Sequence, residues 1–539
     1  MKIPYNCLHA RGGILFGARG GKIHTFSLND GAHVATWKHP ELETCTAAGS
    51  EAPTTVENEA ERVGGSDMVD EAEQPPSKRQ KVAEDDAPKN MDDEDEAGGK
   101  RTRGKEHRKP KPIPVPDRPV IIQLTTTADG SHLVAVSAHD KAVWVFAHND
   151  SGQLTQLSKS PLIQRKLKSV SRVMPKRPSS IAVSHDDQII VADKFGDVYA
   201  IPLIKSSEAY TPPQQQAPAF SVAKKPRTKP AATVLTVHSK GNRAALAAQQ
   251  REIENPTNGP SSGAKAAASP DFAHTLLLGH VSMLTALVLG EDAQGRRYII
   301  TGDRDEHIRV SRYMPQAHVI HGYCLGHGEF VGAMAIPSAR RELLVSGGGD
   351  EDLLVWDWVN GALLSRTSIL TPAQQVSPQA AKVAVSRLLA LDYLSESGTQ
   401  THVVAICEGI SAIFTWQLLA DNTLTKPSII QLPGNPLDIT TSTTSSTASL
   451  AVALHIPEGS ETAAQSLHLI QLMTDDHGRL AVDTIAPVRD DPQEIKEQEQ
   501  DVTEAEVHTL FYTVEHLRKQ QASGPEEREG SQQGDAAEE

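Results

Sequence analysis

Asp303, Asp305, Asp350 and Asp352 are the residues whose types and spacing most resemble a catalytic set, because paired carboxylates can divide acid–base work. Their setting argues for a plainer role. Each pair opens a short alternating strand, at the same place in successive repeats, where an aspartate shapes a tight turn. Gly279-His280 and Gly326-His327 lie 47 residues apart and read the same way, as histidines that tie a strand to a turn by hydrogen bonds. Gly347-Gly348-Gly349 could cradle a phosphate only between a strand and a helix, and here a second strand follows. No HExxH, GxSxG or P-loop occurs. Cys7, Cys45, Cys324 and Cys407 lie far apart without a CxxC, which argues against a zinc site or a disulfide framework and suits a reducing compartment. The residues therefore predict no catalytic group, no metal and no cofactor held by this chain.

Two charged clusters point to binding instead. The run Gly302-Asp303-Arg304-Asp305-Glu306-His307-Ile308-Arg309 alternates in sign and carries more charge than a turn needs. Such a cluster suits a polar protein interface, where opposed charges set register. Arg165, Lys166, Lys168, Arg172, Lys176 and Arg177 fall within 13 residues. Two readings of that second cluster stand side by side, a solvated face or a patch that contacts phosphates.

The elements that must hold these residues come from a repeat. A turn bearing Gly or Asp precedes a short alternating strand six times: at 20–26, 140–146, 195–201, 305–311, 350–357 and 409–416. Residues two apart share a face, as a half-buried strand requires. A strand such as Leu133-Val134-Ala135-Val136 or Leu343-Leu344-Val345-Ser346 usually comes first, giving a hairpin per unit. Trp356-Asp357 supplies the WD dipeptide once. With the Gly-His pairs, this is the WD-repeat pattern of about 40–45 residues per four-stranded blade. The prediction is an all-β, seven-bladed WD-repeat β-propeller with disordered insertions and a C-terminal helix. A degenerate seventh unit is expected near 424–473, with a strand at Leu467–Leu472.

The charge is unevenly placed. Of the formal −15, residues 490–539 carry −11 and residues 41–117 carry −8, whereas residues 205–270 carry +6. The folded body is thus close to neutral, and contact with a polyanion would need a local patch. Residues 1–40 are expected to form blade one, 118–204 blades two and three, and 271–489 blades four to seven. The stretches 41–117 and 205–270 are too polar to offset the cost of chain ordering and are predicted disordered, between blades one and two and between blades three and four. In the acidic tail 490–539, Glu504 to Gln520 reads as a helix, with Leu510, Phe511, Val514 and Leu517 at helical spacing. It packs on the propeller, or it helps hold a partner or RNA. No run of eighteen apolar residues exists, so no membrane span is expected.

Five segments in order, 175–179, 191–199, 278–284, 302–311 and 323–331, resemble the signature of the non-catalytic WD-repeat subunit of the tRNA (guanine-N7) methyltransferase. The resemblance is densest over 175–360 and does not extend to the insertions. It implies a propeller that binds a separate Rossmann-type catalytic subunit, which holds S-adenosylmethionine, in a heterodimer that methylates N7 of a guanine in the tRNA variable loop. It further implies partner contacts by Asp303, Arg304, Asp305, Glu306 and Arg309, with Lys194 nearby. The basic runs at 75–81 and 100–105 look like nuclear-import signals, so the nucleus is the expected location. A nuclear protein-interaction scaffold, such as a chromatin or ubiquitin-ligase adaptor, is the alternative of a different class.

Overall fold

Short runs of β-branched and aromatic residues, interrupted every few residues by Gly, Asp or Asn, favour hairpins over helices. In the computed structural model these runs form twenty-nine strands, β1 to β29, among the described residues. Those residues are 2–42, 118–149, 151–157, 172–204, 272–395, 398–443, 448–457, 465–475, 478–488 and 502–519. The predicted disordered insertions, and the chain from 520 onward, lie almost wholly outside them.

The strands pair consecutively and antiparallel in seven sheets. Blade one runs from β1 (Cys7–Arg11) to β4 (His33–Lys38), and blade two from β5 (Ile121–Thr126) to β8 (Leu154–Gln156). A short β9 (Arg172–Val173) also joins blade two, beside β7 (Ala142–His148). Blade three comprises β10 (Pro178–Val183), β11 (Gln188–Asp193), β12 (Asp197–Pro202) and β13 (Thr275–Gly279). Blade four runs from β14 (Leu284–Glu291) to β17 (Ile320–Cys324), and blade five from β18 (Val331–Ala335) to β21 (Ala362–Ser368). Blade six runs from β22 (Val385–Ser395) to β25 (Leu424–Gln431), and blade seven from β26 (Asn435–Thr443) to β29 (Leu480–Pro487). The first strands of the blades neighbour one another around a closed ring, β26 returning to β1. This is the seven-bladed propeller that the repeat predicts, and the six repeat units are the third strands of blades one to six.

One boundary differs from the sequence division. Thr275–Gly279 completes blade three, so the 205–270 stretch interrupts that blade between its third and fourth strands instead of separating blades three and four. The reason is local: β12 ends its pairing with β11 at Pro202, and its other edge needs a partner wherever the chain returns.

Seven apolar clusters hold the ring, one at each junction between neighbouring blades. At the junction of blades seven and one, Tyr5, Leu8, Leu15 and Phe26 meet Ala451, Ala453, Leu467 and Val488. Fully burying a side chain of this size contributes about 1.5–3 kcal/mol. Among the described residues no strand is exchanged across that junction. The Leu8 amide instead donates to the Asp438 carboxylate at 2.7 Å, and Arg387 of blade six donates to its other oxygen at 2.7 Å.

Candidate partner interface on blades three and four

The two turns that carry the predicted partner residues are built alike. In blade four, the buried Asp303 carboxylate accepts the amides of Asp305 (2.8 Å) and His307 (3.0 Å). In blade three, Asp193 accepts those of Phe195 (2.7 Å) and Asp197 (3.1 Å). Burial raises the pKa of both aspartates. They are turn-shaping groups, as their repeat positions predict. Gly196, at φ +100°, closes the blade-three turn, and a Cβ there would come within 2.3 Å of the His280 carbonyl oxygen. The matching position in blade four is Glu306, at φ +78°. A non-glycine residue in the left-handed region costs about 1–2 kcal/mol, so this turn keeps a charged side chain at the expense of backbone strain.

Arg309 lies on β16 (Ile308–Arg312) and is only 7% exposed. Its Nε donates to Ser311 Oγ (2.9 Å) and its Nη1 to the Gly279 carbonyl (3.0 Å). No ion pair with a carboxylate is found for it among the described residues. Burial pulls its pKa down. Gly279 in turn pairs with Asp197 at the end of the blade-three turn, so the two turns are neighbours.

Lys194 brings a second cation to the same corner. Its amide donates to the Arg177 carbonyl at 3.1 Å. Burial, and then the Arg177 charge, lower the Lys194 ammonium to about 8. Burial also lowers Arg177, whose Nε is buried without a hydrogen-bond partner among the described residues. Lys176 is exposed and places its ammonium 4.2 Å from the centre of the Phe195 ring. Phe195 is 62% exposed, and Val281 beside it is fully exposed. The structure thus joins Lys176 and Arg177 to Lys194, although the sequence assigns the first two to an RNA patch and the third to a partner contact. Of the rest of that patch, Arg165, Lys166 and Lys168 lie outside the described residues, and for Arg172 only the backbone, in β9, is described.

Arg304, Asp305 and Glu306 have partners within the chain. The C-terminal segment 502–519 forms a strap over the turns of blades seven, six, five and four. It begins with a helix, α2 (Glu504–Phe511), which follows α1 (Leu370–Val376) in chain order. A capping box of Thr503 and Glu506 starts α2, and Tyr512 ends it. The helix is shorter than the predicted 504–520, and a separate 3-10 turn follows at Glu515–Leu517. The ladder breaks because the chain must descend onto the propeller: the Glu408 carboxylate of blade six accepts the amides of Val514 (2.7 Å) and Glu515 (3.0 Å). Arg518, 11% exposed, donates to the carbonyls of Gly349 (2.7 Å) and Val383 (2.9 Å) and pairs with Glu329 (3.3 Å). Arg304 Nε donates to the Leu517 carbonyl at 2.7 Å. Lys519 reaches Glu306 at 2.9 Å and Asp305 at 3.3 Å. Sequence reasoning expected a helix here, packed on the propeller or holding a partner or RNA, and the structure packs the segment on the propeller. The 3-10 turn and the contacts made by Arg518 and Lys519 had no trace in the sequence.

The Gly-His histidines are structural. His327 joins Asp350 (2.6 Å) to Ser346 Oγ (2.7 Å), which also accepts the Trp356 indole N–H (2.8 Å). His280 bonds Thr301 Oγ1 at 3.0 Å.

The family model of the tRNA methyltransferase TRM82 WD40 domain matches residues 15–473. The chain belongs to the TRM82 WD40 family. Relatives support this over most of the length. The tRNA (guanine-N(7)-)-methyltransferase non-catalytic subunit trm82 of Sclerotinia sclerotiorum is 37% identical over 456 residues, covering 82% of this chain and 82% of the relative. The protein of the same name in Aspergillus clavatus is 36% identical, covering 82% and 79%. That of Aspergillus fumigatus is 34% identical, covering 79% and 75%. These names support a regulatory or structural role for TRM82-family chains, with methyl transfer performed by another subunit. Both turns of the blade-three and blade-four corner fall inside the TRM82 match, whereas the strap at 502–519 falls beyond its end.

Proposed function

We propose that this chain is the non-catalytic subunit of a heterodimeric tRNA (guanine-N7) methyltransferase. The corner between blades three and four holds the catalytic subunit, which carries S-adenosylmethionine, and the complex methylates a guanine of the tRNA variable loop at N7. One observation carries the reading. Arg177 and Lys194 lie together, and Arg309 binds the Gly279 carbonyl of the strand that pairs with the same blade-three turn; each of the three is lowered in pKa by burial, and none has a carboxylate partner among the described residues. Substantially buried cations are costly unless paired, and a partner's carboxylates would remove that cost. Exposed Phe195 and Val281 beside them supply the apolar contact that an interface core requires. The strained, charged Glu306 turn supports the same surface.

In this reading Asp305 and Glu306 exchange Lys519 for a basic group of the catalytic subunit. Exposed Lys176 is left to contact tRNA phosphate at the rim. Nuclear residence belongs to the same proposal and rests on the basic runs at 75–81 and 100–105.

Co-purification of tagged variants with the catalytic subunit tests the interface. Arg309→Glu should place a carboxylate against the partner's own and abolish recovery of the complex, with the propeller still folded by circular dichroism. Recovery at wild-type yield would refute the assignment.

A further inference from the structure

We propose that His455, Glu504 and His508 form a binding site for a divalent transition-metal ion, best suited to zinc, that pins the C-terminal strap to blade seven. His455 ends β27 (Ala448–His455) and is fully buried. Its Nδ1 is 2.6 Å from the Tyr512 hydroxyl, which also accepts from Asn435 Nδ2 at 3.1 Å. That contact fixes the ring and turns Nε2 toward the strap. Outer contacts of this kind orient metal-binding histidines.

Nε2 of His455 lies 3.2 Å from Glu504 Oε1, and Nε2 of His508 lies 3.4 Å from the same oxygen. Glu504 and His508 are one turn apart on α2, so both point to the same side of the helix. Donor atoms of all three residues lie within 4.8 Å of one another. Ligands held at about 2.0–2.1 Å around a tetrahedral zinc ion are separated by about 3.3 Å. Two of the observed separations already match that edge. Two imidazoles and a carboxylate form a donor set that suits zinc. His508 is half-exposed, which leaves it free to close the third edge and leaves the fourth position open to water.

Sequence spacing could not show this site, because blade seven supplies one ligand and the strap the other two. A bound ion would stabilise the docked strap by mass action, with a contribution that grows with free metal. The inference is independent of the proposed partner. Another triad, His39, Glu41 and His139, lies at the junction of blades one and two and serves as an internal control.

The test uses the full-length chain, stripped with chelator, equilibrated with zinc chloride at about 10 µM free metal and desalted. Metal content is read by mass spectrometry, and strap order by hydrogen exchange of the 503–517 amides. The expected result is stoichiometric zinc, slower exchange of those amides on loading, and loss of both in His508→Gln and Glu504→Gln. His139→Gln should retain both. No stoichiometric uptake would overturn the site and leave Glu504 as a metal-free acceptor between two imidazoles. Uptake that survives His508→Gln and Glu504→Gln, or uptake without slower strap exchange, would overturn it equally.

Discussion

Arg304 and Leu517, 213 residues apart in the sequence, meet through a 2.7 Å hydrogen bond from guanidinium to carbonyl. The contact ties the end of the strap to the turn that the family resemblance assigns to a partner. One surface therefore has two claimants, and their balance depends on how firmly the strap is held.

The firm anchor is Arg518, which satisfies two backbone carbonyls and faces Glu329 while nearly buried. Hydrogen bonds to a charged group contribute about 1.5–3 kcal/mol each. Arg518→Ala should open the strap locally, speeding exchange of the Val514 and Glu515 amides by at least about tenfold while barely lowering the Tm of the propeller. Unchanged exchange would show that Arg518 does not hold the strap.

Glu306 separates function from stability. Its backbone sits where Gly196 sits in blade three, and among the described residues its side chain makes only an exposed ion pair with Lys519. Glu306→Gly should leave stability unchanged or raise it by up to about 1 kcal/mol, because relief of strain offsets the entropy that glycine adds to the unfolded chain. The same variant should bind the catalytic subunit more weakly. A clear loss of Tm would place the residue in the structural frame instead.

Asp350 should make stability depend on acid. Burial pushes its carboxyl up, but hydrogen bonds from His327 and the Gly328 amide more than offset this and leave its pKa below the ordinary value. A carboxyl depressed in the folded state contributes stability above about pH 4 that is lost as the pH falls through its folded pKa. In urea titrations Asp350→Asn should be less stable than wild type by about 1–2 kcal/mol at pH 7, and the gap should narrow as the pH falls below the ordinary carboxylate range. A gap independent of pH would remove the charge from the explanation.

The repeat made the architecture legible. Turn residues such as Asp305 and Asp350, with strands alternating after them, predict hairpins, and closure into a ring follows from the number of repeats. Three things escaped. Thr275–Gly279 could not be assigned to blade three, because an edge strand of five residues has no register signal once a long insertion separates it from β12. The helix α1 was missed because it is short, contains Pro372 and has no side-chain cap. The strap's course was hidden because it rests on polar contacts to turn carbonyls, which leave no periodicity. At the site, the resemblance supplied Lys194 and Arg309, but only the fold could join Arg177 to Lys194.

Lys194 gives the interface a signature in alkali. Its folded pKa, about 8, lies below the ordinary lysine value through burial and then Arg177. A carboxylate from the partner would raise that pKa, so binding should take up a proton. Affinity should hold between pH 6 and 7 and fall roughly tenfold between pH 7 and 9 as the free subunit loses its charge. Lys194→Arg should remove this dependence, and an equal dependence in that variant would assign it to another group.

Methyl transfer to tRNA by separated and recombined subunits is the most direct measurement. This chain alone should form no N7-methylguanosine, the catalytic subunit alone little, and the mixture full activity. Lys194→Glu or Arg309→Glu should prevent the recovery. Methylation by this chain alone, or full recovery with both charges reversed, would contradict a propeller that acts by holding its catalytic partner.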